Sequence, residues 1–162
     1  MSDSIKVDGI EITEEDMYRA SVLPRVRSLQ VIFEEILDGI EVEQMMGVGE
    51  FPFLRFSYEN DEYDISYFPV DGPSEDKYIL LLRSVNFIVD NDKLMDTEIV
   101  MSCAEFNFGS AFGYAVYNPV DKCVELRAQV PESGGISDAE QYRHIFELFV
   151  YAMGELRETL GE

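Results

Sequence analysis

The sequence predicts an α+β domain built on an antiparallel sheet, in the order helix, three strands, helix, two strands, helix. Two observations carry that reading. Residues 53–68 and 112–130 alternate apolar and polar side chains around short turn signals, as hairpins do. Residues 14–38, 93–106 and 138–160 repeat apolar side chains every three to four positions, as helices do. Hairpins in runs, broken by helices, argue for an antiparallel rather than a parallel sheet. At 162 residues the chain reads as one domain over 1–162.

Ile5–Ile12 alternates around Asp8-Gly9, a short hairpin or a loose terminus. Thr13 then precedes Glu14, Glu15 and Asp16, an N-cap followed by acids that suit a helix N-terminus. The first helix covers roughly 14–38, bent where Pro24 removes an N–H. Its apolar stripe is Val26, Leu29, Phe33, Ile36 and Ile40.

Strand Phe53–Glu59 turns at Asn60-Asp61 into strand Glu62–Phe68. A two-residue loop there sets Leu54 against Tyr67, Phe56 against Ile65 and Tyr58 against Tyr63. Asp71–Ser74 is a loop. Tyr78–Phe87 opens with five apolar residues and predicts a central strand covered on both faces. The helix at 93–106 carries Met95, Ile99, Cys103 and Phe106 on one stripe. In the second hairpin an odd-residue turn at Pro119-Val120-Asp121 would face Val116 with Val124 and Tyr114 with Leu126, putting all four in the core. Ser137-Asp138-Ala139-Glu140 is a capping box for the last helix, with Ser137 as N-cap. That helix buries Tyr142, Ile145, Phe149, Ala152, Met153, Leu156 and Leu160.

Hydrophobic residues make up 46 % of the chain, enough for one core; with no Trp, the 11 Phe and 9 Tyr must supply its large pieces. Thirty-three acids against 12 bases give a net charge of −21. Such a surface repels phosphate backbones and anionic lipid, so nucleic acid and membrane are not expected partners. No secretory signal and no membrane-spanning run is evident. Cys103 and Cys123 stand alone, as reduced structural thiols of a cytoplasmic protein do.

Catalytic and metal chemistry find no foothold, and no cofactor is expected. His144 is the single histidine, beside the apolar stripe of the last helix. Asp90-Asn91-Asp92 begins like a calcium loop, but Leu94, Met95 and Met101 occupy its fifth, sixth and twelfth positions. No phosphate loop or nucleophile elbow occurs. Catalysis by dispersed carboxylates remains an alternative, marked by a pocket of convergent acids.

One feature points to binding. The hairpin register pairs Phe53 with Phe68 on the otherwise polar side, and Phe51, Pro52, Pro69 and Val70 extend it. An apolar patch on an acidic protein marks an interface. The candidate protein-binding residues are therefore Phe51, Phe53, Phe68 and Val70. A second surface, Ile99, Val100 and Cys103, lies in the uncharged run 99–104 and is the candidate helix of a homodimer.

The helix ending near Glu105-Phe106-Asn107, the hairpin to Cys123–Val130, Pro131, Gly134-Gly135 and the helix from Ser137 together resemble the YbjN-domain family. These bacterial domains, described as sensory-transduction regulators, share a type III secretion chaperone-like fold. The resemblance extends best over 99–160 and begins near 24. It implies that fold, no catalysis, a dimer and a protein partner, in a chaperone-like or regulatory role. The narrower alternative is a dedicated type III secretion chaperone that holds an extended client across apolar patches.

Overall fold

The computed structural model describes residues 5–7, 10–47, 51–69, 77–85, 87–88, 94–133 and 138–161. It is an α+β structure whose paired strands are all antiparallel. A short hairpin, β1 (Ile5–Val7) and β2 (Ile10–Ile12), leads into α1 (Glu14–Ile36). Then follow β3 (Glu43–Met46), β4 (Pro52–Tyr58), β5 (Asp61–Pro69), β6 (Lys77–Val85) and β7 (Phe87–Ile88). The chain closes with α2 (Asp96–Gly109), β8 (Tyr114–Asn118), β9 (Cys123–Ser133) and α3 (Ala139–Leu160). The main sheet has seven strands in the order β3-β4-β5-β6-β9-β7, with β8 also paired to β9.

The element order differs from the expected one: five strands rather than three stand between α1 and α2, because β3 and β7 are added. β7 pairs β9 further along the edge that β6 occupies. Arg83 pairs Arg127 and Phe87 pairs Val124, so four steps on one strand face three on the other. The buried Ser84 hydroxyl accepts the Leu126 N–H at 2.8 Å, which satisfies that backbone donor.

α1 begins where Thr13 and Asp16 form a reciprocal capping box. It runs through Pro24, and the Ser28 hydroxyl donates to the Pro24 carbonyl at 3.1 Å. Its core face is Val22, Val26, Leu29 and Phe33, continued by the buried C-cap Leu37; Ile36 and, just past the helix, Ile40 pack partly buried beside it. α3 is capped by Asp138 rather than Ser137, which lies outside the described residues. The Asp138 carboxylate accepts the Glu140 N–H at 3.2 Å, and Gly161 ends the helix in the left-handed region.

Both hairpin registers differ from expectation. In the first, Leu54 pairs Ile65, Phe56 pairs Tyr63 and Tyr58 pairs Asp61. The two-residue loop is Glu59-Asn60, both at positive φ (50° and 73°), one step before the Asn60-Asp61 turn read from sequence. The pairing moves by two residues, so each side chain keeps its predicted face. In the second hairpin Tyr117 pairs Val124, Ala115 pairs Leu126 and Tyr114 pairs Arg127. That one-residue difference turns Tyr114 and Val116 away from the core.

Two local devices hold this register. The turn has four residues, not three, closed by the Val120 N–H on Asn118 Oδ1 and with Lys122 at φ 52°. The Asn107 side chain accepts from the Ala115 N–H at 2.6 Å and donates to the Ala115 carbonyl at 3.0 Å. Asn107 thereby occupies the open edge of β8 as a strand would.

The main apolar core of the sheet lies on the face under the helices. Leu54, Phe56, Tyr63, Ile65, Tyr67, Leu80, Leu82, Leu126 and Ala128 meet α1 and α3 there. Phe33, Phe56, Tyr63 and Phe146 form the centre, with ring centroids 5.4–5.8 Å apart. Tyr67 donates to the Tyr142 hydroxyl, which donates in turn to Glu132 Oε2 at 3.1 Å.

This core carries an alkaline liability. Burial pushes the Tyr63 and Tyr67 phenols far above their ordinary 10, and the Cys103 thiol above its ordinary 9. Above those values the unfolded chain releases protons that the folded chain retains. It therefore binds fewer protons, and stability falls as pH rises. The contribution is fully present below about pH 9. Each tyrosine should then remove about 1.4 kcal/mol per pH unit once its unfolded phenol ionises near pH 10. Urea midpoints measured from about pH 8 to about pH 11 check this; a flat profile would exclude it.

Candidate protein-binding face

Among the described residues no helix covers the opposite face of the sheet. Phe53, Arg55, Ser66, Ile79, Leu81, Arg83 and Arg127 remain half-buried, and Phe68 and Gln129 are exposed. The central position expected for the Tyr78–Leu82 run is correct, but its two-sided burial is not. Tyr78, Leu80 and Leu82 enter the core, while Ile79 and Leu81 stay on the open side. Five consecutive apolar residues therefore supply both a core face and a surface one.

A concavity of about 590 Å³ lies on this face. Its apolar part is Met46, Phe51, Pro52, Phe53, Phe68 and Leu81, and its polar part is Asp64, Ser66, Arg83, Arg127, Gln129 and Tyr114. Phe51, Phe53 and Phe68 thus share one surface. Their contact differs from expectation, because the register shift sets Phe51, not Phe53, beside Phe68, with centroids 6.1 Å apart. Val70 lies outside the described residues.

Asp64 organises the polar part. It is 5 % exposed, which a carboxylate tolerates only when paired. Arg55 donates to it through Nε at 2.8 Å and Nη2 at 2.9 Å, and Arg83 donates from the other side. The Asp64 hydrogen bonds hold the Arg55 guanidinium even above its usual range. The Arg55 guanidinium also lies 5.3 Å from the Phe53 ring centroid. Arg127 reaches Glu125 on its own strand at 2.7 Å.

The other sequence candidates separate. Ile99 and Cys103 are 0 % and 5 % exposed, so the core takes them, and Val100 is 50 % exposed. On the same helix Met101 and Phe108 are 70 % and 96 % exposed. Burial raises both the Cys103 and Cys123 thiols, which disfavours the reactive thiolate. His144 is exposed on α3. Among the described residues no group of three His, Cys, Asp or Glu side chains could hold a metal ion, and no helix is long and apolar enough to cross a membrane.

Sequence reasoning missed Met46, Leu81, Arg83, Tyr114 and Arg127 as groove residues. The alternation of β9 does place Arg127 and Gln129 on its polar side. Strand order is what brings them beside Phe68, and no local pattern encodes it. The chain matches no protein-family model, no curated protein and no solved structure.

Proposed function

We propose that this chain is a non-catalytic protein-binding module, chaperone-like or regulatory in role, that receives a segment of another protein on the open face of its sheet. The observation that carries this reading is the groove of Phe51, Phe53, Phe68, Met46 and Leu81 beside Arg83 and Tyr114. Aromatic residues, Met and Arg are the types enriched at protein interfaces, and an exposed apolar patch on an acidic surface marks one. The resemblance to the YbjN-domain family supports the same role, and the dedicated secretion chaperone is its narrower form.

A photo-crosslinking side chain at Leu81 tests the reading, with one at Glu147 on α3 as control. The expected result is a crosslinked polypeptide from Leu81 only, lost when Phe68→Asp is added. No product, or equal products from both positions, would count against it.

The reading includes a homodimer through α2. Met101 and Phe108 stand seven residues apart on one side of the helix, flanked by Val100. The uncharged run 99–104 lets two copies of net charge −21 meet there with least repulsion. Sedimentation at micromolar concentration should show a dimer that Met101→Glu splits; a monomeric wild type would remove the claim.

A further inference from the structure

Across the open face the register builds one polar row. Glu43, Arg55, Asp64, Arg83, Arg127 and Tyr114 are successive cross-strand partners on β3, β4, β5, β6, β9 and β8. One contact in it is unfavourable by itself. Arg83 lies directly opposite Arg127, and opposed like charges destabilise a sheet. Arg83 shares Asp64 with Arg55, and Arg127 holds Glu125, so among the described residues no carboxylate pairs with both. The two side chains are 36 % and 37 % exposed, within reach of a ligand.

The rows beside it are apolar. Two residues along β6 from Arg83 lies Leu81, paired with Ser66 and Gln129, and two further lies Ile79, paired with Phe68. Successive rows on one face are about 6.6–6.8 Å apart. An extended peptide lying along β6 presents alternate side chains at that same interval.

We infer that this face, in the protein-binding role proposed above, reads an extended segment of a partner protein carrying one Asp or Glu. The carboxylate sits between Arg83 and Arg127. Apolar or aromatic side chains two and four residues away from it rest on Leu81 and Phe68. Asp64 and Glu125 each neutralise one arginine from its far side, and the incoming carboxylate adds one acceptor that both can share across their contact. The groove lining holds two Arg against one Asp, in a chain whose net charge is −21. The acidic remainder of the surface repels a segment with many acids, so a single acid with neutral or basic flanks fits both fields.

Two labelled peptides of opposite polarity test this by fluorescence anisotropy: Lys-Ser-Glu-Ser-Phe-Ser-Phe-Lys and Lys-Phe-Ser-Phe-Ser-Glu-Ser-Lys. Each is compared with its counterpart carrying Gln for Glu. In one polarity the Glu peptide should bind at least about tenfold more tightly, the lower end of what a charged hydrogen bond contributes. Arg127→Gln should abolish that preference and Arg127→Lys should keep part of it. The thermal midpoint of Arg127→Gln should move by less than about 2 °C, since a like-charge contact is lost together with the Glu125 pair. Equal binding of Glu and Gln peptides, a preference that survives Arg127→Gln, or no binding at all would overturn the inference. Competition by free benzoate at the peptide's own concentration would do so too, and would reassign the site to a small acid. The Leu81 crosslink decides separately whether the face receives a protein, so failure of the carboxylate claim is distinguishable from failure of the binding role.

Discussion

Phe33→Ala is expected to lower the free energy of unfolding by about 3–5 kcal/mol, the largest single effect of a truncation here. Phe33 is 1 % exposed and meets Phe56, Tyr142 and Phe146, each with ring centroids within 6.5 Å. It is the point where α1, the sheet and α3 touch. Removing the ring loses its transfer free energy and leaves a void that rigid neighbours cannot close. Edge-to-face pairing adds about 0.5–1.5 kcal/mol beyond the area term. Against a typical domain stability of about 5–15 kcal/mol, this approaches global unfolding. Urea denaturation should show a lower midpoint with an unchanged slope. A shift below about 1 kcal/mol would mean that the cluster is not the core's centre.

The second large effect is expected at Asp64. Breaking a buried charge pair by removing one partner costs about 3–5 kcal/mol when the other is left fully buried. Here the stranded groups are Arg55 and Arg83, whose side chains are 28 % and 36 % exposed, so water recovers part of the loss. Asp64→Ala should therefore cost about 2–3 kcal/mol. Arg55→Gln should cost less, because Asp64 keeps Arg83. Replacing Arg55, Asp64 and Arg83 together by Met, Leu and Met should come close to neutral, since no charge is then left unpaired. Chemical denaturation of the three variants checks the order. If the triple variant loses more than Asp64→Ala, the triad is a net source of stability and this account of it fails.

The two predictions separate the faces of one sheet. Phe33 acts on the face that the helices cover, and Asp64 on the face that no described helix covers. The groove residues Phe51, Phe53 and Phe68 could be named from sequence because they interrupt a polar alternation. Leu81 could not, because it stands inside an apolar run that fits a fully buried strand equally well. Arg83 and Arg127 read as ordinary outward charges until the register opposes them.

Features that depend on neighbours a few residues away are legible in the local sequence. Thr13 and Asp16 start α1, a 3.6-residue period sets its inner face, and the alternation of Val124, Leu126 and Ala128 orients β9. The first hairpin kept its predicted faces despite a register two residues off, because side-chain direction repeats every two residues. Contacts between different elements decide the rest. Asn107, on α2, clamps Ala115, eight residues away, and thereby turns Tyr114 outward against the local hydrophobic pattern. The Ser84 hydroxyl is satisfied in the core because Leu126 lies across from it. Whether Leu81 is covered by a helix or stays on the open side depends on which face the helices choose. That choice is made by packing Phe33, Phe146 and Phe149 together over one side of the sheet, and no local window of sequence contains all three with the strands they cover.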